Sequence, residues 1–256
     1  MSVRKKVKKM LDGQVMILGK PIETQFGQIR FYSYQEYINN IEHLTLISFS
    51  VLKFYYTYRA QLKEMGASQE ELVELKKMQE IELFDFVMSN PEVLHAYLKV
   101  INDVVTPNES YDFSQAELLS RMDVNDFYTL REIIMQMNLL KEEKMSPSPR
   151  VQDQLDKGKA FRLKDKESPN TDTILSSIFV ATGTPYHKLS EMTAYQIIST
   201  YHRVHAFSDF MLSALFATVS AEVKLLPWDS NSEIMKEEKQ GMSSDEFDEK
   251  IGGLFK

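Results

Sequence analysis

His202 and His205 stand three residues apart in a segment of helical periodicity, and Glu222 follows on the same expected element. Imidazoles at that spacing project from neighbouring points of a helix and can share a divalent metal, with a carboxylate adding an oxygen ligand. Such a site needs a third and fourth ligand close by, and no HExxH or related pattern flanks the pair. It therefore reads as two histidines on a long helix. Asp126, Glu132, Asp172 and Glu191 lie near predicted helix starts or on helix faces. Two carboxylates held together would do general acid–base work, but helix N-termini attract carboxylates for electrostatic reasons alone. The chain contains no GxxxxGK[ST], GxGxxG or GxSxG motif, and Gly183-Thr-Pro185 reads as a helix stop. With no cysteine, the chain has no disulfide, thiolate zinc site or thiol nucleophile. No catalytic, cofactor-binding or metal-binding residue is assigned.

The concentrated positive charge is at the start, in Arg4, Lys5, Lys6, Lys8 and Lys9, where a solvated terminus is the simplest reading. A net charge of −7 makes the whole chain a poor general binder of nucleic acid, because phosphate neutralisation requires a basic surface. No apolar core segment or cleavage site follows the basic start, so no signal peptide is read. The most apolar run, residues 44–58, is shorter than the roughly 20 residues of a membrane span and contains Lys53. These features, with the absence of cysteine, predict a cytoplasmic protein that does not enter a membrane.

The elements are legible from caps and periodicity. Residues 15–32 have strand character: Val15-Met-Ile-Leu18 is a short apolar run, Gly19-Lys-Pro21 breaks it, and partial alternation around Gly27 predicts a small hairpin. Capping boxes are read at Ser33 with Glu36, Ser68 with Glu71, Ser114 with Glu117, and Thr193 with Gln196. The first predicts one long helix ending at Gly66, and the second a helix to about Met88. Asn90-Pro91 opens a helix that ends near Val105. Phe127, Leu130, Ile134 and Met137 form a helical stripe. Phe54-Tyr-Tyr-Thr-Tyr58 covers all sides of a helix and reads as core or helix packing rather than as a stacking platform for bases. A short helix over 172–182 stops at Gly183. The last helix keeps Ile197, Tyr201, Val204, Ser208, Met211, Leu215 and Val219 on one face until Pro227.

The predicted fold is mainly α. A basic segment (1–12) precedes a helical domain with an N-terminal β-hairpin (13–140). Residues 141–170 hold three prolines and many charges of mixed sign, and are expected to form a disordered linker. A smaller C-terminal helical module (171–228) and an acidic tail (229–256) follow. The tail is sparse in apolar groups, and its last piece, 247–255, could dock as a short linear element.

Ile174-Leu-Ser-Ser-Ile-Phe-Val-Ala-Thr-Gly183, then Leu189-Ser-Glu-Met-Thr-Ala-Tyr-Gln196, then a long helix ending at Leu226-Pro-Trp228, resembles the tail assembly chaperones of long-tailed bacteriophages. Glu23-Thr-Gln-Phe-Gly27 and Tyr34-Gln-Glu-Tyr37 resemble small phage assembly proteins of the Gram-positive host type. The resemblance implies a non-enzymatic protein of the bacterial host cytoplasm. It would bind the tape-measure protein, keep that protein's apolar helices from aggregating, and help tail-tube subunits assemble. The alternative is a structural minor tail or connector component of the virion. Helical clients fit grooves rich in Met, Leu and aromatic residues. Tyr195, Ile198, Tyr201, Phe207 and Met211 are the candidate partner-binding residues, and core packing is the competing reading for each. The aromatic content, 15 Phe and 12 Tyr, is compatible with a homo-oligomer.

Overall fold

In a computed structural model, residues 10–106, 115–163, 169–220 and 227–229 are described, together with Val3, Val7 and Leu225. The molecule is mainly α with a small antiparallel sheet, as the sequence predicts. Helix α1 (Gly13–Leu18) leads into strands β1 (Ile22–Thr24) and β2 (Gly27–Ile29), which pair Ile22 with Ile29 and Thr24 with Gly27 around the turn Gln25–Phe26. Helices α2 (Tyr34–Asn39), α3 (Ile41–Ser48), α4 (Val51–Glu64) and α5 (Gln69–Lys76) follow. A 3-10 turn at Lys77–Glu80 precedes α6 (Leu83–Ser89) and α7 (Pro91–Val104). Strand β3 (Val105–Thr106) joins β2 antiparallel, so the sheet order is β1-β2-β3. Helices α8 (Gln115–Arg121), α9 (Val124–Met137), α10 (Pro149–Leu163), α11 (Thr171–Thr182), α12 (Tyr186–Glu191) and α13 (Ala194–Ala217) complete the described chain.

Several sequence expectations need correction. Val15–Leu18 is helical, not extended. The Asp12 carboxylate accepts the N–H groups of Gln14 and Val15, and Gly19 closes the turn at φ 61°. The long helix expected from Ser33 to Gly66 is three helices. The Asn40 side chain donates back to the Glu36 carbonyl, and Phe49 is extended before Ser50 caps α4. The break before α4 is held by Arg131, only 5% exposed, whose guanidinium donates to the carbonyls of Ile47 and Phe49 and to Glu142. The helix from Ser68 stops early because Ile81 is extended. The two-residue β3 was not foreseen; it is too short to show a period.

The region 141–170 also departs from expectation: α10 occupies half of it. Its attachment is polar rather than apolar, which explains why composition hid it. Glu143 accepts from Lys53 and Lys159, Tyr56 donates its hydroxyl hydrogen to the Ser146 carbonyl, and buried Gln152 accepts the Ser146 N–H. The expected capping box at Ser114 and the acidic tail fall outside the described residues.

One large core joins the sheet to α3, α4, α6, α7 and α9. Val93, Tyr97, Val100, Ile101 and Val104 of α7 recur at helical spacing; the helix packs against α3, α6 and α8, and Tyr97 reaches Phe127 of α9. Phe127 is its aromatic centre, 1% exposed, stacked on Tyr97 at 5.3 Å and edge-on to Phe84 at 5.2 Å. Burial pushes the Tyr97 hydroxyl up to about 12. Phe54 and Tyr55 are buried here as well, so the aromatic stretch of α4 serves packing.

A second, smaller core holds Tyr34, Ile174, Ile178, Leu189, Ala194 and Ile197. Tyr34 belongs to α2, so the C-terminal helices are seated on the N-terminal body. The seat is made by two helix starts meeting head to head. Ser33 and Thr193, each the cap of a complete capping box, form an antiparallel bridge, and the Tyr34 N–H donates to the Met192 carbonyl at 2.6 Å. Gln196 also donates to the Ile17 carbonyl. Gly19 lies so close that a Cβ there would fall 2.9 Å from the Thr193 methyl group.

Candidate interaction surface

Helix α13 starts at the Thr193–Gln196 capping box and runs 24 residues, about 36 Å. Its first turns are covered: Ala194 and Ile197 are buried, and Ile198 and Tyr201 pack against the second core. Helix α11 lies alongside, capped by Asn170 and closed by Gly183 at φ 71°. Beyond Tyr201 no residue of α13 is buried.

The apolar face nevertheless continues. Met211, Leu215 and Val219 repeat at intervals of four on the same side as Ile197, flanked by Phe207, Leu212 and Phe216. All six are exposed, Leu215 to 65% and Val219 to 81%. A contiguous stripe of large apolar side chains marks an interaction site far more often than bare surface. Half-burying six such side chains favours association by about 5 kcal/mol before the entropic cost of binding is subtracted. At its proximal edge, the Trp228 indole stands edge-on to Phe207 at 5.3 Å, and Arg203 donates to the Trp228 carbonyl.

The five candidate partner-binding residues separate along this helix. Tyr195 is half-buried against the main core, and Ile198 and Tyr201 against the second, whereas Phe207 and Met211 belong to the exposed stripe. Tyr195 and Phe207 are turned about 120° apart around a helix of 3.6 residues per turn, so the five do not share one face. Leu212, Leu215, Phe216 and Val219 are the additional members of the stripe. Their spacing was visible in the sequence; their exposure was not.

The other candidate chemistry is dispersed. His205 carries the Tyr201 ring edge-on at 4.4 Å, and His202 is exposed beside it. Glu222 lies outside the described residues, among which no cluster of three or more residues suited to a metal occurs. Asp126 accepts from Gln25, Glu132 from Gln136, and Glu191 from Lys188, while Asp172 sits in the first turn of α11. The hydrogen bond from Lys188 holds the Glu191 carboxyl below its usual range. An open depression between the hairpin residues Glu23 to Phe26 and α9 residues Thr129 and Ile133 presents one ionisable side chain, Glu23, which accepts from Gln28. None of the described helices is long and apolar enough to cross a membrane.

Residues 11–147 match the family model of the YomV N-terminal domain. The chain belongs to this family. A relative from Bacillus subtilis (strain 168), the SPbeta prophage-derived uncharacterized protein YomV, is 29% identical over 227 residues, which cover 89% of this chain and 91% of the relative. No solved structure matches the chain. The family model therefore spans the sheet and the large core and ends just before α10, while the exposed stripe lies beyond it.

Proposed function

We propose that this chain is a non-enzymatic assembly protein of a tailed phage: a tail assembly chaperone that binds the tape-measure protein in the bacterial host cytoplasm and supports tail-tube assembly. The observation that carries this reading is the uncovered apolar stripe of α13. A tape-measure protein presents long amphipathic helices, and a helix face with two adjacent rows of large apolar side chains is the complement such a client requires. Met211 at its middle adapts to varied client surfaces. The prophage origin of the YomV relative and the resemblance of residues 174–228 to phage tail assembly chaperones support the same context.

Co-expression with the tape-measure protein of the same phage genome tests the reading. The intact chain should raise the soluble fraction of that protein, and Met211→Asp/Leu215→Asp should abolish the gain while leaving the chain folded. No gain with both proteins well expressed would sink the proposal. Recovery of the chain at fixed stoichiometry from purified virions would instead make it a structural minor tail or connector component.

A further inference from the structure

We infer that the exposed stripe of α13 is the docking site of the chain's own C-terminal segment, residues 247–255. The path of the chain supplies the first reason. Helix α13 ends at Ala217, yet Trp228 lies back beside Phe207, held by the ring contact and by Arg203. Trp228 therefore lies at the proximal edge of the stripe, and the residues beyond Asp229 follow on from that edge rather than from the far end. From Phe207 to Val219 is about 18 Å along the helix. By the statistics of a polypeptide linker, seventeen residues (230–246) have a root-mean-square span of roughly 23 Å, enough to deliver residue 247 to any point of the stripe.

The sequence of the segment supplies the second reason. Ser243 followed by Glu246 has the capping-box spacing that Ser33, Ser68 and Thr193 realise in this molecule. Phe247, Ile251, Leu254 and Phe255 then fall at i, i+4, i+7 and i+8, the anchor spacing of a helix laid against an apolar groove. Gly252 and Gly253 weaken that helix in isolation, which makes its formation depend on the surface it meets. A short tether gives an effective concentration in the millimolar range, so even a weak contact stays closed.

The inference shares its surface with the proposed function but does not require the client, and Trp228, the chain's single tryptophan, reports on it directly. In the full chain without client, Leu254→Asp/Phe255→Asp should shift tryptophan emission to longer wavelength and raise binding of an apolar dye. Met211→Asp/Leu215→Asp should produce the same emission shift, and combining the two pairs should add nothing further. Unchanged emission and dye binding in the tail variant would overturn the inference. So would sedimentation showing a dimer that the stripe variant dissolves and the tail variant does not, because the occupant would then be a second copy. If the tail variant behaves as expected but tape-measure solubility never depends on the chain, the client reading fails and tail docking stands.

Discussion

Helices α9 and α13 both begin at a side-chain cap, Asp123 and Thr193 respectively, and both carry an apolar stripe, yet their surroundings differ. Of the 14 residues of α9, seven are buried, including Arg131; of the 24 in α13, two are. The shorter helix is enclosed by α3, α6 and α7 and anchors a core of which the family model covers the greater part. Among the described residues, the longer one is buried only in its first two turns, and its remaining length is exposed or half-exposed. Apolar periodicity thus specifies that a face wants a partner without specifying whether that partner is inside the molecule.

The sharpest way to break this comparison is to empty the centre of the enclosed helix. Phe127→Ala removes a ring packed by Tyr97, Phe84 and Tyr128 and should cost about 4 kcal/mol in urea denaturation. Ile197→Ala in the second core should cost about 3 kcal/mol. Its signature is spatial: hydrogen exchange should quicken in α11 and α13 while α7 and α9 keep their protection, and equal loss in both would show that the two cores unfold as one. Thr193→Ala deletes a cap at the joint and should cost about 1 kcal/mol, with non-additive behaviour in a cycle with Ser33→Ala because the two caps share a bridge.

A smaller effect is expected with pH. Hydrogen bonds from Arg30 hold the Glu36 carboxyl down at about 2, below its ordinary 4.5. Because the folded value is the lower one, the pair's contribution is complete above about pH 4.5 and disappears as pH falls toward 2. Glu36→Gln should flatten the acid limb of a stability–pH curve over that window; the pair is well exposed, so screening keeps the change modest. The least change belongs to the projecting helix: Leu215→Asp should alter the stability of the two cores by no more than about 0.5 kcal/mol, because Leu215 packs in neither of them.

Legibility followed the range of the interactions. The capping boxes at Ser33, Ser68 and Thr193 were readable because cap and partner lie three residues apart, and the hairpin at Gly27 because a tight turn announces itself. Strand β3 was not readable: two residues carry no period, and Val105 is a strand only because Ile29 pairs with it. Helix α10 was concealed because polar contacts tie it down: Gln152 and Lys159 bond to Ser146 and Glu143 of the preceding segment, which Tyr56 and Lys53 hold in turn, and composition does not register such contacts. The breaks inside the segment from Ser33 to Gly66 were hidden because Arg131, far along the chain, satisfies the carbonyls that a continuous helix would have used.

By itself, the amino-acid sequence determined the predominantly helical class, the helix starts at Ser33, Ser68, Asn90 and Thr193, and the unbroken apolar face of α13, since each rests on contacts within one or two turns. Only the tertiary structure decided that this face is covered at Ile197, where Tyr34 and Ile178 reach it, and open at Leu215, where no other described element arrives. The physical reason is that periodicity is a property of one helix, whereas burial belongs to whatever the rest of the chain brings against it.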